Sequence, residues 1–228
     1  MAIIGVSYPY YAIYNNAGDS VTYINGGELG RMTEVDVVIN TSEDNNLHAN
    51  NGIAETDRQF TDGTLTVGTD HLSQDVSKAI LGVREEDLEE IPGVTDTGVK
   101  ELIFDDSMAN PYLGQGYVIK QQHRNKVSWR AVVFTKTMFN VPDESAVTQG
   151  EQIEWQTPSL VAAILRDDTP EHKWKREATF TTEAQARAYI RHRLNITESA
   201  GGDTGTGGAE AAQAARMSSK SSSKDIMS

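Results

Sequence analysis

The sequence predicts a mainly β protein with one helix packed across a sheet. Three observations carry that expectation. Apolar residues recur at every second position in residues 31–40, RMTEVDVVIN, and again in 60–67, FTDGTLTV. A single helical stripe follows, with Leu72, Val76, Ala79 and Ile80 on one face. Four more strand-like segments then span 112–123, 127–139, 151–166 and 172–180.

Each element has its own warrant. Residues 31–40 put Val35, Val37 and Ile39 on one face and Met32, Glu34, Asp36, Val38 and Asn40 on the other. That is a half-buried strand with acid on its outer face. Residues 41–59 read as a polar loop of Asn, Asp, Ser and Gly in which Leu47 and Ile53 stand isolated. Connections of that length tend to be functional or disordered. In 60–67, Leu65 and Val67 oppose Asp62, Thr64 and Thr66, so the two strands form a hairpin with a long, exposed tip. Asp70 is the expected N-cap of the helix, and Gly82 sits where a left-handed C′ residue belongs.

Residues 83–111 are acidic and turn-rich, and read as a surface excursion. Residues 127–139, VSWRAVVFTKTMF, are apolar on both faces, as a strand covered twice should be. Asn125-Lys126 and Asp167-Asp168 punctuate the later strands, and Val141-Pro142-Asp143 breaks the chain between them. Thr182 with Gln185 forms a capping box opening a short helix through Leu194, and Arg191, His192 and Arg193 suit its C-terminal dipole. The folded body therefore spans 1–196. Residues 197–228, rich in Gly, Ala and Ser, are expected to be a flexible tail.

Composition narrows the class further. The chain has 228 residues and no cysteine, which excludes disulfides, cysteine-ligated zinc and thiol nucleophiles. Apolar runs such as Leu160–Leu165 fall far short of the roughly 18 residues that cross a bilayer. MAIIGVSYPYY at the N-terminus lacks the basic and apolar regions of a signal peptide. The net charge of −13 is uneven: residues 34–106 hold 18 acidic and 4 basic groups, net −14, whereas 107–196 hold 9 acidic and 12 basic, net +3. So acidic a field repels phosphate, and tight nucleic-acid binding by the first of these regions is not expected.

Site chemistry is sparse. His48, His71, His123, His172 and His192 never fall within five residues of one another, so no metal-binding spacing exists. Asp105-Asp106 and Asp167-Asp168 read as turn acids rather than an acid/base couple. Gly114-Gln115-Gly116 lacks the Gly-Lys-Ser/Thr of a phosphate cradle and fits a bulge or a tight strand approach. No catalytic, cofactor-binding or metal-binding residues are expected, and hence no enzyme.

The order of elements, strand, long polar loop, strand, helix, four strands, resembles the major tail tube proteins of long-tailed, non-contractile bacteriophages. The residues that carry the likeness are Tyr11-Ala12-Ile13-Tyr14, Ala54-Glu55-Thr56, Val76 to Gly82 (VSKAILG) and Val127 to Val133 (VSWRAVV). The most specific stretch is Glu154 to Leu165, EWQTPSLVAAIL, with Asp167, Asp168 and Lys173-Trp174 after it. These are packing patterns whose weight lies in their order over about residues 8–178. The resemblance implies a small β-sandwich or partly open barrel with one flanking helix. Its hairpins would complete a large β-barrel on hexamer formation, and the rings would stack into a tube around a DNA channel. The partners so implied are further copies of the chain and the tape-measure, tail-terminator and distal tail proteins, with double-stranded DNA passing through unbound. The implied location is the virion, after assembly in the host cytoplasm.

Under that resemblance Glu34, Asp36 and Asp62 are expected to face the lumen, and Leu47, His48 and Ile53 to mark an inter-ring loop. The C-terminal helix and tail depart from the core pattern. A tube protein of a contractile tail, a tailocin or a secretion apparatus would keep the same fold. A ligand-binding or adhesive β-sandwich would instead require a concave aromatic cluster, whereas Trp129, Trp155 and Trp174 fall in strands, where core packing accounts for them.

Overall fold

The computed structural model describes residues 2–89, 91, 93, 98–148 and 157–197, and Met1–Ile196 form one compact unit. The expected tail from residue 198 onward, and Trp155 with the start of the segment 151–166, lie outside the described residues.

The chain opens with β1 (Ala2–Asn16) and β2 (Val21–Glu28), followed by β3 (Met32–Thr41), the short pair β4 (Asn45–Ala49) and β5 (Gly52–Asp57), and β6 (Phe60–Thr69). Helix α1 (Gln74–Leu81) leads to a second short pair, β7 (Arg84–Asp87) and β8 (Lys100–Ile103). Then come β9 (Leu113–His123), β10 (Lys126–Phe139), β11 (Ser159–Leu165), β12 (Lys175–Phe180) and helix α2 (Glu183–Arg193). The molecule is mainly β, as expected. One antiparallel sheet runs β2-β1-β9-β10-β11-β6-β3, with β12 also paired to β10.

Strand β10 is the hinge of this arrangement. Its first half pairs with β12 from Trp129↔Phe180 to Phe134↔Lys175, and its last residues pair with β11 from Lys136↔Leu165 to Phe139↔Ala162. Its side chains feed two separate cores. Val132, Phe134 and Phe139 join Leu65, Val67, Leu160 and Ile164 in the larger one, which α1 closes with Ile80 and Leu81. Ala131 and Val133 face the other way, against Tyr10, Tyr23, Ala186, Ile190 and Leu194 beneath α2. Each fully buried Val, Leu, Ile or Phe among them contributes roughly 1.5–3 kcal/mol.

Gly114 and Gly116 explain how α2 comes so close. A Cβ built at Gly114 would lie 2.4 Å from the Tyr23 ring and 2.6 Å from Leu194, and one at Gly116 would lie 2.5 Å from Ile190. The Gly-Gln-Gly run is therefore a tight approach. The second helix starts as expected, with the Thr182 hydroxyl accepting a hydrogen bond from the Gln185 N–H. It ends where Asn195, in the left-handed region at φ 52°, donates from its side-chain amide to the Tyr23 carbonyl.

A polar clamp holds the turn after β11. Lys136 Nζ lies 2.8 Å from Asp168 Oδ2 and sits over the rings of Tyr112 and Tyr14 at 4.4 and 5.1 Å. The Tyr14 hydroxyl donates to Asp168 Oδ2 and accepts from the Asp168 N–H. Burial and the neighbouring carboxylate push the Tyr14 phenol up to about 12. The ammonium and phenol donors hold Asp168 below the usual carboxylate range.

Four expectations need correction. The N-cap of α1 is Ser73, whose hydroxyl accepts from the Val76 N–H. Asp70 instead accepts from the Arg31 N–H and pairs with His71, tying the start of β3 to the end of β6. Met32 packs on the larger core, not on the outer face, because a register shift between Met32 and Glu34 resets the alternation. Ile39, expected inside, is 36% exposed because β3 is leaving the core there. The excursion 83–111 contains a paired hairpin, β7 with β8, fastened where Glu85 binds both Lys78 and Lys100. The turn acids behave as read: Asp105 accepts from Ser107, and Asp167 from Thr169.

Candidate functional site

A β-ribbon built from residues 32–69 runs from the larger core out to a tip, β4 with β5, that supplies no side chain to either core. Its base is the β3/β6 pair, in register from Glu34↔Gly68 through Asp36↔Thr66 and Val38↔Thr64 to Asn40↔Asp62. Residues directly opposite each other share a face. Glu34, Asp36, Val38 and Asn40 thus line up with Asp62, Thr64 and Thr66, while Val35 and Val37 turn inward with Leu65 and Val67. Alternate residues on one strand face stand about 6.8 Å apart. Glu34 and Asp36 are both exposed. Asp62 accepts a hydrogen bond from the Asn40 amide at the outer end of the ladder. The Glu34 side chain lies across Gly68, where a Cβ would stand 2.6 Å from its Cγ. The three acids expected to act together do share one face.

Beyond Asn40 the ribbon continues, which corrects the reading of 41–59 as a loop. The Ser42 N–H donates to the Gln59 carbonyl, and Arg58 makes a two-pronged ion pair with Asp44. Strands β4 and β5 then pair from Asn45↔Asp57 to Ala49↔Gly52. Asn50 and Asn51 make the two-residue turn, with φ of 51° and 66°. Positive φ at both central positions matches the twist of a hairpin, and asparagine tolerates it. That Asn-Asn pair was the signal in the sequence for paired strands.

The three proposed loop residues separate. His48 pairs with Ile53 and Leu47 with Glu55, so Leu47 projects from the face opposite to His48 and Ile53. Leu47 is 59% and Ile53 60% exposed, and neither belongs to the two apolar cores. Strand β3 ends the sheet path, so one of its edges presents unpaired backbone groups among the described residues. This arrangement is suited to binding another chain: a free edge, an acidic face and two apolar side chains at the tip. Among the described residues, no group of three His, Asp or Glu side chains converges, and no helix is long and apolar enough to cross a membrane.

Strands β1 and β2 also gave no clear period in the sequence. A register shift between Ser7 and Tyr10, with Tyr8 at φ 57°, breaks the alternation of β1. Trp129 and Trp174 pack on the cores, Trp174 stacked on Phe60 at 4.4 Å between ring centroids.

Compared with known protein families and with curated proteins, the sequence matches none of them.

Proposed function

We propose that the protein is a structural subunit of a bacteriophage tail tube, of the long-tailed, non-contractile kind, and not an enzyme. The observation that carries this reading is the ribbon, whose acidic face and coreless tip sit at an open sheet edge. In this reading the larger core joins two layers of a small sandwich, since it draws Val6 and Ile13 from β1 and Val35 and Val37 from β3 at the far end of the path. Six copies place their ribbons side by side and complete a barrel, which removes the open edges. The rings stack into a tube in the virion, against tape-measure, terminator and distal tail proteins.

The acids then do physical work. Sixfold repetition turns Glu34, Asp36 and Asp62 into stacked rings of negative charge around the lumen. Such rings repel DNA phosphates and keep the duplex within its own counterion layer, whereas basic residues would bind it and slow its passage. Negative-stain microscopy of the purified protein tests the proposal. Rings with sixfold symmetry, or tubes with a channel wider than a DNA duplex of roughly 20 Å, are expected. A protein that stays monomeric at every concentration and salt condition contradicts it.

A further inference from the structure

A second surface answers the ribbon's charge, and the inference drawn from it rests on the tube reading. On the sheet face covered by α2, a cleft of about 170 Å³ opens between β2, β10, β12 and the end of the helix. Val21, Tyr23 and Val133 form its apolar part, and Asp167, Arg176 and Arg193 its charged part. Several polar groups in it already have partners. The Tyr23 hydroxyl donates to the Thr135 carbonyl at 2.8 Å, the Thr135 hydroxyl to the Lys173 carbonyl at 2.6 Å, and the Thr169 hydroxyl to Asp167 at 2.6 Å.

The two guanidiniums are different. Among the described residues, neither Arg176 nor Arg193 has a carboxylate within ion-pair distance, and Arg193 rests only over the Tyr189 ring. Asp167, 4% exposed, offsets one of the two charges and leaves the cleft with an excess of one positive charge. At about 30 Å³ per water the cleft is large enough for the carboxylate end of a side chain.

The ribbon carries the complementary group. Residues 42–59 hold four acids and one base, net −3, and that base, Arg58, is already held by Asp44. Residues 173–193 hold six bases and two acids, net +4. Glu55 is exposed, has no ion-pair partner among the described residues, and shares a ribbon face with Leu47. We propose that the Leu47/Glu55 face of the ribbon seats in this cleft on a second copy of the chain. The Glu55 carboxylate lies between Arg176 and Arg193, and Leu47 rests on Val21. Arginine suits the task, because its planar fork meets a carboxylate through two parallel hydrogen bonds.

The absence of cysteine makes the test clean. The Leu47→Cys/Val21→Cys double variant, oxidised after assembly, should run as disulfide-linked multimers on a non-reducing gel, since a bridge needs Cβ atoms about 4 Å apart. Each single variant should run as monomer. Glu55→Arg and Arg193→Glu should each cut the sedimenting fraction about tenfold or more, and their combination should restore it. Both positions are exposed, so circular dichroism of the monomers should not change. Well-formed wild-type rings with no cross-link and no restoration by the charge swap overturn this docking and leave the tube reading standing. A wild-type protein that never forms rings overturns both.

Discussion

The sheet around β10 and the ribbon of β4 and β5 are made of the same kind of local structure and held by opposite means. Strand β10 is covered on both faces, and Phe134, Phe139, Ile190 and Leu194 are wholly buried by the chain's own elements. In the ribbon, Leu47 and Ile53 remain exposed, and the strands are secured by backbone pairing, an Asn-Asn turn and the Arg58–Asp44 ion pair. An isolated two-stranded hairpin is at best marginally stable in water. The central sheet therefore carries the stability of the subunit. The ribbon carries surface that, in the proposed assembly, another chain covers.

That contrast is broken most sharply by excision. Removing residues 45–57 and joining Asp44 to Arg58 through Asn-Gly should leave the urea unfolding of the monomer almost unchanged. It should also abolish assembly entirely, as scored by sedimentation and microscopy. A destabilised monomer would show that the ribbon supports its own subunit.

Single truncations sharpen it. Phe134→Ala should cost about 3–5 kcal/mol and Ile190→Ala about 2–5 kcal/mol, read from urea midpoints. The same truncation at Leu47 or Ile53 should stay within about 0.5 kcal/mol, because both side chains are exposed and neither belongs to an apolar core. Losses of equal size in both regions would contradict the division.

The acidic face gives a third test. Glu34→Lys with Asp36→Lys changes the subunit from −2 to +2 at these positions, and the strand should hold because Val35 and Val37 still face the core. Tubes of this variant should retain DNA at low salt and release it steeply as salt rises. Well-formed mutant tubes that bind no DNA would place the acids on an outer surface.

The smallest effect expected is in the pH dependence. Burial raises the Tyr14 and Tyr117 phenols from 10.0 to about 12. Unfolded tyrosines ionise as pH passes 10, while these two stay protonated in the native state up to about 12. Their contribution is thus complete below pH 10 and is lost between about pH 10 and 12. Asp168 behaves in the opposite sense. Its depressed value adds stability above the ordinary carboxylate range, and that share is lost as pH falls through the depressed value. Tyr14→Phe and Tyr117→Phe should each flatten the alkaline fall in the thermal midpoint, with the excised ribbon making no difference to it.

The sequence revealed those parts of the fold whose side chains alternate against a core. The double-sided run of 127–139, the capping box at Thr182 and the tight Gly-Gln-Gly approach all have one dominant physical cause, and each was legible. What stayed hidden depended on resets of that alternation or on polar pairing. The register shift after Met32 moved one residue to the inner face, and the break at Tyr8 concealed β1. The ribbon strands were invisible to an apolar period because they supply no side chain to either core. Only Asn50-Asn51, with its tolerance for positive φ, marked them. Glu34, Asp36 and Asp62 could be grouped from period two, whereas Arg176, Arg193 and Asp167 come from β12, the end of α2 and the turn after β11, and meet only through tertiary packing.

The central claim is that the ribbon is completed by another copy, and hydrogen exchange tests it most directly. The amides of residues 45–57 should exchange quickly in the dispersed monomer and become strongly protected in the assembled protein, while those of β9 and β10 are protected equally in both. Ribbon amides that exchange at the same rate before and after assembly would contradict the account.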